Sequence, residues 1–429
     1  MVVIVKRARF RGVILLLLLL LVSGVGGGGQ LWTLRHYRMA REALVRWDFD
    51  AAEHHLGQCA NIWWFRPGEV RLLQARTARL AGHHDQAAAL LHECRELGVA
   101  DESLELEHDL LRALQGDLAS VEDALVRRVL HGHSETVAIL EVLTPLYLKS
   151  YRLPLARECI HRWLEREPNR LQAWILSAQV SERLRSREDT FASYRRVVEL
   201  DPENLPARLT FAGLVCEHDG PQQALAHFDY VRSRRGAVLE VLVGLAHCRR
   251  LLGETHLARR LLDKALALRP QNGAALAERS RLAFQSESAA EAERWFRRAI
   301  AVTPFEKDVV YGLYQCLERL GRHREAEEVS ARLKHIDADL ERLAGLTRQL
   351  AHDPRSPGLR CEMGLVLMRN GQEAEAVRWL ESALLEDPED AGTHQALREY
   401  YERKGNPDRA AGHRQWALAG ERARREPNR

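Results

Sequence analysis

Four prolines recur through the middle of the chain at a fixed interval. Pro168, Pro202, Pro270 and Pro304 are separated by one, two and one steps of about 34 residues, and Gly236 occupies the skipped place. Twelve residues before each proline stands Ala156, Thr190, Ala258 or Ala292, and Ala224 stands twelve before Gly236. A period of about 34 residues predicts stacked units of two helices and two turns, each burying its apolar face on its neighbours.

The local physics of each mark agrees with that reading. Glycines such as Gly253, Gly321, Gly371 and Gly405 end a first helix, because glycine takes the left-handed position past a helix end at little cost. A second helix needs a small residue where it crosses the first, a place filled by Ala156, Ala224, Ala258, Ala292, Ala326, Ala376 and Ala410. Pro168, Pro202, Pro270, Pro304 and Pro388 then stop the second helix, since proline has no amide donor and clashes with the preceding turn.

Extended in both directions, the frame divides the chain. Residues 1–11 form a basic segment, 12–32 an anchor or signal, 33–136 degenerate units and 137–338 regular ones. Residues 339–356 break the register, 357–424 hold the C-terminal units, and 425–429 are a tail. The break is a slip of about half a unit, because Pro354, not residue 338, is in phase with Pro388. Across it, Val329, Leu333, Ile336, Leu340, Leu343, Leu346 and Leu350 step by threes and fours. That spacing predicts one long helix over 325–352, packing on its own solenoid or offering a seam for self-association.

At the N-terminus, Lys6, Arg7, Arg9 and Arg11 precede an apolar run from Val13 to Val22. The uncharged stretch from Gly12 to Leu31 is long enough to span a bilayer of roughly 30 Å. The same segment also has the form of a cleaved secretory signal. The charge distribution predicts a cytoplasmic N-terminus and a translocated, periplasmic repeat domain on a single-pass membrane protein. Cleavage would make the protein secreted or periplasmic instead.

Composition excludes some classes. The net charge is +3, with 63 basic and 60 acidic residues, so the basic footprint of a nucleic-acid binder is missing. The seven cysteines are widely scattered, with Cys216 and Cys248 the nearest pair in sequence. That leaves no zinc-knuckle or CxxC spacing and assigns them to apolar packing. The pairs His54–His55, His83–His84 and His131/His133 lack further ligands at metal-binding spacing. No phosphate loop or nucleophile elbow is present, so no enzyme activity, metal or cofactor is expected. Ile62, Trp63, Trp64 and Phe65 form the densest aromatic run, read as a cap on the solenoid core or as an interfacial belt.

Trp174 in the opening aromatic place, Leu245, Leu313 and Leu397 in the leucine place, and Tyr147 and Tyr401 in the tyrosine place follow one further pattern. Phe228 and Phe296, then Ala265, Ala299 and Ala383, complete it on the second helix. With the glycine, alanine and proline marks, this resembles the tetratricopeptide repeat (TPR) family over roughly 33–424. The resemblance implies an all-α fold, a right-handed α-solenoid of helix–turn–helix units, and the N-terminal apolar stretch places one transmembrane helix before it. It also implies a protein or peptide partner lying along a concave face lined by first helices. On this chain that face would present Gln179, Glu182, Arg183, His247, Arg250, Arg281, Gln315 and Arg319. The family's asparagine place for capturing a C-terminal carboxylate holds other residues, Gln179, Gly213, His247 and Arg281 among them, so that mode is not implied. The expectation is a membrane-anchored interaction scaffold at a bacterial envelope. Alternatives are an exported soluble repeat protein binding peptide or polymer, and an accessory subunit of an envelope enzyme or assembly complex.

Overall fold

Ala52, Leu56 and Cys59, and likewise Ala87, Leu91 and Cys94, fall at helical spacing and face inward, the amphipathic pattern that drives helix pairs together. The computed structural model describes residues 30–60 and 66–425, so the expected anchor up to position 29 and the aromatic run Ile62–Phe65 lie outside the described residues. Among the described residues there is no strand, and no helix is long and apolar enough to cross a membrane. The chain forms two compact units, Met1–Val142 and Leu143–Arg429.

The first unit contains α1 (30–45), α2 (Phe49–Ala60), α3 (Pro67–Leu80), α4 (His84–Glu96), α5 (Asp101–Leu114) and α6 (Leu118–Leu130). The unit boundary falls inside α7 (Thr136–Lys149). Glu107 on α5 is buried and receives Arg76 Nε at 2.6 Å and Arg79 Nε at 3.0 Å, both from α3. A buried carboxylate without such partners would be strongly destabilising, so this contact sets how α3 and α5 lie together.

The second unit continues with second helices that begin at a strict 34-residue step: α8 (Leu153–Arg166), α10 (Arg187–Leu200), α12 (Pro221–Arg235), α14 (Thr255–Leu268), α16 (Ala289–Val302) and α18 (His323–His352). Between them lie the first helices α9 (Leu171–Arg183), α11 (Leu205–His218), α13 (Leu239–Leu251), α15 (Gly273–Ser286) and α17 (Lys307–Arg319). After the long helix come α19 (Pro357–Arg369), α20 (Glu373–Glu386), α21 (Ala391–Arg403) and α22 (Pro407–Arg425). The crossing alanines, from Ala156 to Ala410, are all buried, and each stop proline directly follows a second-helix C-cap.

The register slip has a simple origin. Helix α18 has 30 residues where α16 has 14, and the excess equals the slip from position 338 to Pro354. Its stripe is largely buried within the unit: Leu333, Ile336, Leu343, Leu346 and Leu350 are inside, and Leu333 and Ile336 pack on Val310. Of the seven stripe residues only Leu340 is exposed, which leaves little of the seam for a second copy.

Residues near both ends of this unit meet. Tyr151 sits edge-on to Trp379, with centroids 5.3 Å apart, and Arg152 Nε lies 2.7 Å from Glu386 Oε1. Arg360, fully buried, donates to the carbonyls of Pro354 at 2.6 Å and Tyr151 at 3.4 Å, with Glu386 at 3.6 Å. These contacts fix segments 209 residues apart in the chain.

The packing is tight enough for one glycine to matter. A β-carbon on Gly312 would lie 2.1 Å from the buried Phe296 ring, whereas one on Gly345 of α18 would meet nothing within 4 Å. Gly312→Ala should therefore lower unfolding stability by about 1–3 kcal/mol through overpacking. Gly345→Ala should raise it by roughly 0.5–1 kcal/mol, because alanine is the better helix former. Urea titration of both variants tests this; equal effects would contradict the packing.

Candidate functional site

Successive first helices begin about 34 residues apart, so equivalent places on α11, α13 and α15 hold Gly213, His247 and Arg281. A step of about 31 residues instead passes to the next helix and shifts by about one turn. That shorter step links Cys216, His247 and Glu278, which the structure brings together on one face.

Glu278 is the electrostatic centre of this face. It is only 2% exposed, yet it contacts His247 Nδ1 at 3.1 Å, Arg250 Nε, and Arg281 Nη1 at 3.3 Å. Burial alone would push its carboxyl up, but the hydrogen bonds from His247 and Arg250 overcome that and hold it at about 2. His247 moves the other way. The neighbouring Cys216 and then Glu278 raise it to about 9 against the effect of burial, so the imidazole is cationic at neutral pH. Arg281 also reaches Glu306 at 3.0 Å and Asp308 at 3.7 Å. The cations of this face are therefore paired within the fold.

Above the cluster runs an open groove of about 610 Å³. Its apolar lining comes from Leu209, Phe228, Leu239, Val243, Ala274 and Ala277, and its polar lining from Cys216, His247, Glu278 and Arg281. Two glycines act differently here. Gly244 gives way to Phe228, whose ring would lie 2.2 Å from an added β-carbon, while Gly213 faces open space. The groove stays open at Gly213 because no side chain fills it.

Of the residues expected from sequence to line a concave face, the structure gathers His247, Arg250 and Arg281 around Glu278. The others lie apart from this cluster. Gln179 is half-buried and Glu182 exposed on α9, where burial and then Glu182 push the Tyr194 hydroxyl up to about 12. Arg183 donates to the Leu148 carbonyl at 3.2 Å and lies over the Tyr151 ring. On α17, Gln315 is half-buried and Arg319 stacks on Phe284 at 3.9 Å. Sequence reasoning missed Glu278 and the approach of Cys216 to His247. The shorter step between neighbouring first helices was the available signal. The same step joins Arg76 to Glu107 in the first unit.

No family description and no curated protein matches the chain. Among solved structures, the type IV pilus biogenesis factor PilW is similar at 20% identity and a TM-score of 0.38, covering 47% of this chain and 93% of that one. Human IFIT1, in a dimer with m7Gppp-AAAA, is similar at 16% identity and a TM-score of 0.39, covering 82% and 90%. YrrB, described as a TPR protein with an unusual peptide-binding site, is similar at 17% identity and a TM-score of 0.27, covering 47% and 96%. The repeats of this chain are TPR-like helix pairs, an architecture that rests on its own helices and their 34-residue step.

The paired shifts set a pH window. His247 is raised from 6.5 to about 9, so its stabilising contribution is complete below pH 6.5 and lost as pH rises through about 9. Glu278 is depressed from 4.5 to about 2, so its contribution is complete above pH 4.5 and lost as pH falls through about 2. Together they contribute most between pH 4.5 and 6.5. An NMR titration should find the His247 imidazolium persisting well above pH 7, and Glu278→Gln should move its pKa down. A His247 that titrates near 6.5 in both proteins would contradict the cluster.

Proposed function

We propose that this chain is a non-enzymatic interaction scaffold that holds an extended segment of another protein in the groove over α11, α13 and α15. The observation that carries this reading is the open space at Gly213 in a groove with an apolar lining. A ligand side chain entering there is removed from water at several points at once.

Charge decides the chemistry of the anchor. His247, Arg250 and Arg281 already meet Glu278, and Arg281 meets Glu306 as well. An acidic ligand would have to compete with these internal partners, whereas an apolar side chain displaces only water. Burying one leucine- or phenylalanine-sized side chain contributes about 1.5–3 kcal/mol, so useful affinity requires several anchors along the groove. The polar rim then fixes direction and register, in the way of peptide-recognising grooves generally.

The basic segment Lys6–Arg11 and the apolar run from Val13 support a membrane-held version of this scaffold, with its repeats on the translocated side of a bacterial envelope. Protease digestion of intact cells and of opened spheroplasts tests that part separately. Digestion of the repeats from the cytoplasmic side alone would overturn it.

The groove itself is tested with a blocking substitution. Gly213 lies in a helix with open space around its missing β-carbon, so Gly213→Trp fills the groove without displacing the core. Peptides selected from a random library on the full-length chain should bind this variant at least tenfold more weakly by calorimetry, with an unchanged circular dichroism spectrum. Undiminished binding would place the ligand elsewhere.

A further inference from the structure

The sulfur atoms of Cys216 and Cys248 lie 3.5 Å apart on adjacent first helices, with the Cys248 thiol donating to Cys216. A disulfide needs about 2.05 Å, so the sulfurs must close by roughly 1.5 Å. The two thiols differ in access. Cys216 is 4% exposed and lines the groove, while Cys248 lies behind it and is fully buried.

They also differ in surroundings. Cys216 and His247 line the same groove, and His247 is held by Glu278 at 3.1 Å, which places a base with its orienting carboxylate on the face that carries the thiol. The Cys248 thiol and then His247 hold Cys216 well below the ordinary thiol range, at about 5, although burial opposes this. Cys248, the donor in that hydrogen bond and buried as well, is pushed up. Elsewhere in the fold, burial pushes Cys94 and Cys316 up to about 11. The reactive form is the thiolate, so Cys216 is set apart from Cys94, Cys248 and Cys316.

We propose that Cys216 and Cys248 form an oxidisable dithiol whose co-reactant is a small hydroperoxide. The narrow exposure of Cys216 selects for size, and hydrogen peroxide is the smallest member of that class. The Cys216 thiolate attacks one peroxide oxygen and the O–O bond breaks, leaving a sulfenic acid on Cys216. The departing hydroxide takes the proton of the His247 imidazolium and leaves as water. The Cys248 thiol, already directed at Cys216, then attacks the sulfenic sulfur and gives up its proton. The hydroxyl leaves with that proton as a second water. Two thiols have lost two electrons to form one disulfide, and the peroxide is reduced to two waters.

The test treats reduced full-length chain with one equivalent of hydrogen peroxide, removes the peroxide, unfolds the chain in denaturant, caps free thiols with iodoacetamide, and maps peptides by mass spectrometry without reduction. The expected product joins the Cys216 and Cys248 peptides with the loss of two hydrogens, while the other five cysteines carry the cap. In Cys248→Ser, dimedone should tag Cys216 as the trapped sulfenic acid. His247→Gln should slow the oxidation at least tenfold. Oxidation that begins at another cysteine, or a Cys216 that stays capped while the peroxide is consumed, would overturn the proposal.

Discussion

The burial of Glu278 is the interaction on which the groove depends. A carboxylate at this depth is tolerated only if its charge is compensated, because desolvation of an unpaired ion costs several kcal/mol. His247 and Arg250 come from α13 and Arg281 from α15, the helix that carries Glu278 itself. Their geometry can be satisfied in one alignment of the two helices, so the charge cluster fixes what apolar packing alone would leave free to slide. Arg76, Arg79 and Glu107 solve the same problem in the first unit with the same spacing.

A second constraint acts at larger separation. The second unit carries an irregular helix of 30 residues, yet Arg152, Glu386 and Arg360 still bring its distant segments into one buried ionic contact. The excess length of α18 is absorbed inside a single continuous helix, so the hairpins on either side keep their ordinary form. Tyr151 against Trp379 adds apolar area to the same junction.

Much of the fold was legible because its marks are local. A proline stops the helix in which it occurs, and a small residue such as Ala258 or Ala292 announces a helix crossing wherever it recurs in phase. The long helix was legible for the same reason, from the threes-and-fours spacing of Leu333 to Leu350. The site was harder to read. Inspecting cysteines for short spacings dismissed Cys216 and Cys248, although a separation close to one repeat places them on adjacent helices. Glu278 looked like one more surface acid among 60 acidic residues, since burial of a charge leaves no trace in composition. Arg281 was expected to face a ligand, whereas it is engaged by Glu278, Glu306 and Asp308. The Arg360–Tyr151 contact spans 209 residues and has no periodic signature at all.

Amide hydrogen exchange on the full-length chain, with and without a library-selected peptide, tests the central claim most directly. The account predicts added protection concentrated in α11, α13 and α15, strongest around Gly213 and Val243, with α18 and the outer faces of the second helices unchanged. Protection that falls on α18 or on the second helices, with none along those three first helices, would contradict it.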